Sequence, residues 1–258
     1  MTGTGVFDLT GRVAAVVGGT GVLGGTICHG LGEAGAAVAV LGRSAERAAI
    51  RVAALEASGI RAVPVLVDAT DLPSVEAACR AVEEQLGPVD ILVNAPGVNS
   101  ATPFFEISLE EWHRLLDANL TSVFIACQVF GRSMVSHGRG GSIINISSAS
   151  SGPPLSRVLT YSVAKAGLNN LTQYLARELA PNGIRVNALA PGFFPAEQNR
   201  ALLSEDRLRA IMGHTPAARL GEPRELVGAA VWLASDAASG YVTGAIVRVD
   251  GGFSAMTI

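Results

Sequence analysis

Short apolar runs alternate along the chain with longer stretches in which apolar residues recur at helical spacing. The short runs are rich in valine and isoleucine on consecutive positions, which is typical of parallel strands covered on both faces. Seven of them predict strands, at residues 13–18, 37–41, 62–67, 91–94, 142–146, 185–190 and 245–249. Because helical stretches separate these strands, we expect an α/β fold, a doubly wound, Rossmann-like parallel sheet of about seven strands with helices on both faces.

Several helix starts carry recognisable signals. Asp71 precedes a helical pattern that runs to about Leu86, and a proline opens the last helix at Pro223. Ser108 and Glu111 match a capping box, in which each side chain accepts a hydrogen bond from the backbone amide of the other. These signals place helices between the predicted strands.

The longest stretch without a predicted strand, at about 193–220, separates the sixth and seventh strands. An insertion after the carboxyl end of a strand is typical of a substrate lid, and an ordinary helical excursion is the alternative. With no internal repeat or low-complexity linker, residues 1–258 are expected to form one domain.

Composition narrows the classes of function. Hydrophobic residues make up 49% of the 258 residues, charged residues 16%, and the net charge is −3. We expect no nucleic-acid partner, since no basic stripe is interleaved with aromatics, and no membrane span, since no window of about 20 uncharged apolar residues occurs. Three cysteines without paired spacing fit a reducing, cytoplasmic location, and we expect no metal site.

A glycine-rich loop follows the first predicted strand. Gly19, Gly21 and Gly24 match the pattern G-x-G-x-x-G and precede a helical stretch. Glycines there permit a tight turn, close approach of the backbone to a pyrophosphate, and packing of helix on strand. The free amides at the helix N-terminus favour an anion. The loop therefore predicts a dinucleotide site.

The second predicted strand ends in Gly42, Arg43 and Ser44, without a carboxylate. A carboxylate here would accept from the ribose 2′-hydroxyl of NAD and repel the 2′-phosphate of NADP. A guanidinium instead favours NADP, with NAD as the other option and a solvated surface arginine as the alternative interpretation. Asp68, after the third strand, is placed to accept from the adenine amino group.

Tyr161 and Lys165 are four residues apart in a helical pattern, so their side chains share a face. A free tyrosine titrates near ~10. A neighbouring ammonium is expected to lower that pKa, so that the phenol exchanges a proton with a carbonyl or alcohol oxygen. Ser148, after the fifth strand, offers a hydroxyl to the same oxygen, and Asn119 lies in a predicted helix.

Together these motifs resemble the single-domain branch of the short-chain dehydrogenase/reductase family. The resemblance covers nearly the whole chain and includes LVNAPG at 92–97, NISS at 145–148, YSVAK at 161–165, RVNALAPG at 185–192 and VTG…VDGG at 242–252. It implies an oxidoreductase that transfers a hydride between a nicotinamide cofactor, NADP or NAD, and a small carbonyl or alcohol substrate.

The resemblance also implies a role for each catalytic candidate. The family's tyrosine transfers the proton, its serine polarises the carbonyl, its lysine holds the nicotinamide ribose, and its asparagine anchors a water. These residues match Tyr161, Ser148, Lys165 and Asn119, and the serine–tyrosine spacing favours Ser148 over Ser147. The implied cofactor-binding residues are Gly18, Gly21, Val22, Leu23, Arg43, Ser44, Asp68, Ala69, Asn94, Ala95, Gly97, Tyr161, Lys165, Pro191 and Gly192.

Three positions depart from the family's pattern. The single-domain branch usually has glycine at the position of Val22, whereas here the glycines at 18, 21 and 24 resemble the extended branch, and we expect Gly21 to make the close approach. The motif NNAG is replaced by NAPG, which removes one side chain and one amide donor. The threonine that often follows the PG motif is replaced within residues 193–196.

The inserted segment resembles that of sugar-acid oxidoreductases of the fructuronate/mannonate or gluconate type. The family's members also imply a homotetramer, built by pairing two apolar helices across twofold axes. A 3-oxoacyl thioester reductase is the enzymatic alternative, and a non-catalytic dinucleotide-binding redox sensor is an alternative of another class. The candidate substrate contacts are Arg157, Gln198, Asn199, Arg200 and His214.

Overall fold

The computed structural model describes residues 5–195 and 204–256 and contains a seven-stranded sheet. All neighbouring strands are parallel, in the order β3-β2-β1-β4-β5-β6-β7, which confirms the doubly wound α/β fold. The strands are β1 (Val13–Val17), β2 (Ala37–Gly42), β3 (Ala62–Leu66), β4 (Ile91–Asn94), β5 (Gly141–Ile146), β6 (Ile184–Pro191) and β7 (Ile246–Val249). Each lies within two residues of its predicted bounds.

The described helices connect these strands. They are α1 (Val22–Glu33), α2 (Ala45–Ala57), α3 (Leu72–Leu86), α4 (Leu109–Leu116), α5 (Ser122–His137), α6 (Leu159–Leu179), α7 (Glu205–His214), α8 (Val227–Ala234) and α9 (Asp236–Ser239). Among the described residues, no helix has the length and apolarity needed to cross a membrane.

Two hydrophobic cores cover the two faces of the sheet. On one face α3, α5 and α6 pack through residues such as Phe130 and Leu168. On the other face α1, α2 and α8 pack through Leu31, Leu55 and Leu233. Helices on both faces explain why the central strands are apolar at consecutive positions.

The two edge strands of the sheet are partly exposed. In β3, Pro64 is exposed and Leu66 is 63% exposed, and in β7 Arg248 is exposed. Proline is tolerated at an edge because it lacks the amide that an interior strand must donate. Pro64 is thus a local signal that β3 is an edge strand, whereas the exposure of β7 depends on the order of strands in the sheet.

The helix starts are only partly as predicted. Asp71 caps α3 by accepting from the amide of Ser74 at 3.0 Å, and Ser108 caps α4 by accepting from that of Glu111 at 3.1 Å. The reciprocal half of the predicted capping box is not formed, because the Glu111 carboxylate accepts from the Thr102 hydroxyl instead, at 2.9 Å.

The sheet order creates a crevice where the chain changes direction. After β3 the chain returns to the middle of the sheet, and β4 pairs with the opposite side of β1 from β2. In open α/β sheets, ligands bind outside the carboxyl ends of the strands at this switch point. The glycine loop follows β1 there, and the segments that follow β4, β5 and β6 begin at the same edge.

Candidate active site

A cavity of about 730 Å³ lies along the carboxyl edge of the sheet. One end is formed by the glycine loop and the start of α2, and the other by the segment after β5 and the N-terminal part of α6. A cavity of this size is typical of a small-molecule site, and its two ends hold the two groups of residues that the sequence singled out.

In the glycine loop, the surrounding protein leaves no room for a side chain at Gly18 or Gly24, whereas the space beside Gly21 is open. Gly18 has φ +80°, and a Cβ there would lie 2.7 Å from the Ala95 carbonyl oxygen. A Cβ on Gly24 would lie 2.3 Å from the Gly18 carbonyl oxygen. At Gly21 a Cβ would meet only that same oxygen, at 3.4 Å, and Gly21 lines the cavity. The space beside Gly21 therefore fits a closely approaching ligand, and Val22 and Leu23 line the same wall.

Three arginines line the end of the cavity beside β2 and α2. Arg43 was expected, whereas Arg47 and Arg51 were missed by sequence reasoning. A Cβ on Gly25 would lie 2.4 Å from the Arg51 guanidinium carbon, so this guanidinium lies against the first turns of α1. Arg47 and Arg51 are four residues apart on α2 and therefore share a helix face, and Arg43 directly precedes the N-cap Ser44; this spacing was the signal.

No described carboxylate forms an ion pair with any of these three arginines. Guanidinium groups at a cavity wall that are not held in a close ion pair are suited to bind a phosphate. Ser44, expected beside the cofactor, does not line the cavity: its hydroxyl accepts from the Arg47 amide at 3.2 Å and caps α2. Ser44 therefore positions the helix that carries two of the arginines.

The segment after β3 contributes Asp68 and Ala69 to the cavity, as expected, together with Thr70. Asp68 Oδ1 accepts from the Thr70 hydroxyl at 2.7 Å and from its amide at 3.0 Å. These hydrogen bonds hold the pKa of Asp68 below its usual value, so it is an anionic acceptor at neutral pH.

After β4, Ala95 and Gly97 line the cavity, while Asn94 is fully buried beneath it. Asn94 donates to the side-chain oxygen of Asn145 at 2.9 Å and to the Cys127 sulfur at 3.3 Å, and its own side-chain oxygen has no partner among the described residues. Asn94 thus links β4 to β5 and does not line the cavity.

Asn119 is also buried and does not line the cavity. It lies not in a regular α-helix but in a π-helical turn, Asp117–Thr121, between α4 and α5. Its amide group donates to the carbonyls of Val98 at 2.9 Å and Leu115 at 2.8 Å, and its oxygen accepts from the Val98 amide at 3.2 Å. The π turn, a local feature common at functional sites, directs Asn119 onto the cavity segment that includes Val98.

Ser148, Tyr161 and Lys165 meet at the other end of the cavity, and all three line it. The Lys165 ammonium donates to the Ile146 carbonyl at 2.8 Å and lies 5.5 Å from the centre of the Tyr161 ring. Four-residue spacing on α6 brings the lysine and tyrosine together, as predicted. The segment after β5 brings Ser148 to them.

The expected lowering of the Tyr161 pKa by Lys165 is not found. Burial is the largest influence on Tyr161 and raises its pKa, and the influence that lowers it is a hydrogen bond with Ser148. Burial lowers the pKa of Lys165 to about 7. Because burial raises the pKa of Tyr161 above its usual value, its phenol stays protonated at neutral pH.

Ser147, the rival to Ser148, directs its hydroxyl elsewhere. It donates to the Asn169 side-chain oxygen at 2.6 Å, and Ser147 is 2% exposed. The geometry therefore supports the choice of Ser148 that the spacing favoured.

The segment after β6 closes the cavity. Pro191 and Gly192 line it as expected, and so does Phe194, which was not predicted. A Cβ on Gly221 would lie 2.4 Å from the Phe194 ring, so the returning chain packs tightly on that ring. Phe194 supplies an apolar wall, and only the folded path of the inserted segment shows this.

The predicted substrate contacts are not assembled at the cavity wall. Arg157 and His214 are exposed and do not line it, and His214 packs edge-on against Phe253 with ring centres 4.6 Å apart. Arg157 adopts a left-handed backbone at φ +70°. The remaining three candidates, Gln198, Asn199 and Arg200, lie outside the described residues. Within the described ranges, no cluster of His, Cys, Asp or Glu is suited to hold a metal ion.

Comparison with known proteins identifies the class. A family model described as enoyl-(acyl carrier protein) reductase, which is a model of short-chain dehydrogenases, matches residues 21–254. The chain belongs to the short-chain dehydrogenase/reductase family.

Particular relatives are similar over nearly their whole length. A 5-keto-D-gluconate 5-reductase from Escherichia coli (strain K12) is 37% identical, with 96% of this chain and 97% of the relative covered. A crystal structure of a gluconate 5-dehydrogenase from Burkholderia cenocepacia J2315, in complex with NADP and tartrate, superposes with a TM-score of 0.93 at 36% identity, covering 97% of this chain and 98% of that one. A 3-oxoacyl-[acyl-carrier-protein] reductase from Vibrio harveyi is 34% identical, with 95% and 98% covered.

Proposed function

We propose that this chain is an NADP(H)-dependent oxidoreductase that interconverts a keto group and a secondary alcohol on a small sugar acid. The observation that carries this proposal is one continuous cavity, which has three arginines and a glycine loop at one end and Ser148, Tyr161 and Lys165 at the other. The cavity provides a dinucleotide cradle and an acid–base group in one continuous space.

The residues at the catalytic end divide the reaction between them. The bound nicotinamide supplies the hydride for the carbonyl carbon in reduction and accepts it in oxidation. Tyr161 donates its proton to the carbonyl oxygen, and the Ser148 hydroxyl polarises the same oxygen. Because burial raises the pKa of Tyr161, its phenol is protonated at neutral pH, as reduction requires. Lys165 is placed to hold the nicotinamide ribose, and Asn119 positions the Val98 segment.

The preference for NADP rests on the arginines. Arg43, Arg47 and Arg51 offer guanidinium groups to a 2′-phosphate, and no carboxylate stands at the end of β2 to accept from a free 2′-hydroxyl. The Burkholderia relative whose structure contains NADP has the same fold at high similarity. Both observations support NADP as the principal cofactor.

The segment at 193–220 is proposed as the substrate lid. Its helix α7 is tied to the loop before α6, since the Arg207 guanidinium donates to the Ser156 carbonyl at 2.8 Å and hydroxyl at 3.2 Å. Phe194, from the start of the segment, already lines the cavity. These contacts connect the inserted segment directly to the loop that leads to Tyr161.

A substrate panel tests the sugar-acid assignment. With NADPH, purified protein should reduce 5-keto-D-gluconate or fructuronate with a kcat/KM at least about tenfold above that for an acetoacetyl thioester, because the proposed anchor pairs with a carboxylate. NADPH oxidation followed by absorbance measures both. A preference for the thioester would replace this function with the acyl-reductase alternative. No turnover of any carbonyl, with NADPH bound, would instead support the non-catalytic sensor.

Arg157 is the described candidate for the carboxylate anchor, and the undescribed Arg200 is the other. Burial and, to a smaller extent, the positive charge of Arg157 lower the pKa of Arg207, so the two guanidinium groups lie near each other beside the loop that leads to Tyr161. A charge-assisted pair with a carboxylate contributes about 1.5–3 kcal/mol, or roughly ten- to a hundredfold in binding. The Arg157→Met variant should raise KM for the acid by that factor and leave KM for D-fructose, a neutral ketose, unchanged.

The matched control for that variant is Arg209→Met. Arg209 is exposed on α7 and pairs with Asp206 and Glu205, so its loss should leave both KM values unchanged. Equal KM values for the acid in the Arg157→Met variant and the parent would exclude Arg157 as the anchor and leave Arg200.

A homotetramer is the proposed assembly. Apolar side chains are exposed on α5 and α6, among them Phe124, Val135, Val163 and Tyr174. Exposed apolar surface on two neighbouring helices is suited to twofold pairing. Sedimentation velocity at about micromolar concentration should give four times the chain mass. Phe124→Arg with Tyr174→Arg should give a smaller assembly, and a monomeric parent would contradict the proposal.

The reducing cytoplasm is the proposed location. Cys28, Cys79 and Cys127 are all buried and unpaired by disulfides, and burial raises the pKa of each thiol to about 12. Such thiols are structural side chains with little thiolate character at neutral pH.

A further inference from the structure

The position of Ser148 depends on a short turn that leaves β5. Ser148 begins a 3₁₀ turn, Ala149–Ser151, and its hydroxyl oxygen accepts from the Ser150 amide at 3.2 Å and from the Ser150 hydroxyl at 3.0 Å. The turn therefore fixes where the Ser148 hydroxyl points. Whatever holds the turn also sets the geometry between Ser148 and Tyr161.

Asn169 holds this turn from both ends. Its side-chain oxygen accepts from the Ser147 hydroxyl at 2.6 Å, and its side-chain nitrogen donates to the Ser151 hydroxyl at 2.8 Å. Ser151 in turn donates its hydroxyl to the Ser148 carbonyl at 2.6 Å. One carboxamide thus connects the residue before Ser148 with the end of the turn after it.

Asn169 shares a helix with the proposed acid. Tyr161, Lys165 and Asn169 follow one another at four-residue spacing on α6, so their side chains lie along one face. The same rigid helix therefore carries the Tyr161 phenol and the group that holds Ser148. This arrangement fixes the distance between the two hydroxyls, which must both reach one substrate oxygen.

We propose that Asn169 is a positioning residue for Ser148: its carboxamide bridges Ser147 and Ser151 and so sets the Ser148 hydroxyl against the Tyr161 phenol. Asn169 does not line the cavity, so it does not touch the reacting atoms. The inference rests on the proposed carbonyl–alcohol chemistry of this site. A role confined to α6 does not explain the residue type, because asparagine is a weaker helix former than leucine or alanine in mid-helix.

The chain contains a matched control in the next residue. Asn170 is an asparagine on the same helix but is exposed, and no side-chain hydrogen bond of Asn170 occurs within the described part of the chain. The Asn169→Ala variant should lower kcat on the order of ten- to a hundredfold, with KM and NADPH affinity changed by less than about twofold. The Asn170→Ala variant should match the parent in all three. Equal kcat in the two variants, with the parent active, would overturn the proposal.

A double-mutant cycle tests whether the effect passes through the turn. Ser151→Ala removes the other end of the bridge, so it should lower kcat in the same direction as Asn169→Ala. If the two residues act through one hydrogen-bonded path, the double variant should resemble the more impaired single variant. Fully additive losses in the logarithm of kcat would show that Asn169 acts by another route.

A titration that needs no turnover separates this inference from the proposed function. Tyr161 is one of three tyrosines, and Tyr174→Phe with Tyr241→Phe leaves it as the one phenol. The hydrogen bond from Ser148 lowers the pKa of Tyr161, so displacing Ser148 should move phenolate formation, followed by ultraviolet difference absorbance, to higher pH. In this background Asn169→Ala and Ser148→Ala should both shift the curve upward, and Asn170→Ala should not. An unshifted Asn169→Ala curve would contradict the proposal even in a protein that turned over no substrate.

Discussion

Replacing Tyr161 with phenylalanine should lower kcat by at least ~10²-fold and change NADPH affinity by less than about twofold. The substitution removes only the hydroxyl that donates the proton, and the ring stays in place beside Lys165. Stopped-flow or steady-state NADPH oxidation gives kcat, and quenching of cofactor fluorescence gives the affinity. A fall in kcat without a fall in NADPH affinity shows that the substitution impairs proton transfer and not cofactor binding.

The control for this variant is the same substitution at Tyr241. That side chain is fully exposed and lies outside the cavity, so Tyr241→Phe should retain the parent's kcat. If Tyr161→Phe also kept full activity, the proton would have to come from another group, and the assignment of the acid would be wrong.

The second large effect concerns the cofactor. The double variant Arg43→Met and Arg47→Met should lower kcat/KM for NADPH by on the order of a hundredfold or more, since each charge-assisted hydrogen bond to a phosphate contributes about 1.5–3 kcal/mol. NADH has no 2′-phosphate, so its kcat/KM should change little. Arg80→Met, an exposed arginine on α3, is the control and should leave both values unchanged. Equal efficiency with NADPH and NADH in the parent would contradict the role of the arginines.

Reversing the preference requires two changes. An aspartate at position 42 would accept from the 2′-hydroxyl of NADH and repel a 2′-phosphate. A Cβ on Gly42, however, would lie 2.8 Å from Thr20 Cγ2 and 2.9 Å from its hydroxyl oxygen. We therefore expect Gly42→Asp with Thr20→Ala to favour NADH, and Gly42→Asp alone to impair both cofactors because Thr20 is pushed into the cavity.

The fold was predictable because its signals are local and repeated. Continuous apolar runs separated by helical stretches admit few arrangements besides a doubly wound parallel sheet, and the strand bounds were correct within two residues. The exposed edges, by contrast, were not predicted. Leu66 is apolar in sequence yet exposed, because β3 lies at the edge of the sheet, for which Pro64 was the local signal.

The candidate site was predictable for residues whose chemical type and sequence spacing both indicate the same role. Tyr161 and Lys165 are brought together by helix geometry alone, and Ser148 by the end of a neighbouring strand. Phe194 and Asn169 were missed because their positions depend on how distant segments fold back. Arg47 and Arg51 could have been found, since they continue the four-residue spacing from Arg43.

Two predictions from the sequence were wrong: the direction in which the pKa of Tyr161 is shifted, and the regular helix at Asn119. Spacing predicted that Lys165 lowers the pKa of Tyr161, but burial of the Tyr161 side chain is the larger effect and raises that pKa. Asn119 was predicted to lie in a helix, whereas it occupies a π-helical turn and forms hydrogen bonds with Val98. Both features arise from three-dimensional packing, which residue spacing does not encode.

Transfer of deuterium from NADPH to the substrate carbon tests the central claim most directly. Purified protein would be incubated with 5-keto-D-gluconate and NADPH that carries two deuterium atoms at nicotinamide C4, so that either face of the ring delivers the label. Mass spectrometry should then show one deuterium on the carbon that becomes the alcohol, and the Tyr161→Phe variant should form this product at least ~10²-fold more slowly. A reduced product without deuterium, or no product from any keto acid tested, would contradict the proposal of hydride transfer in this cavity.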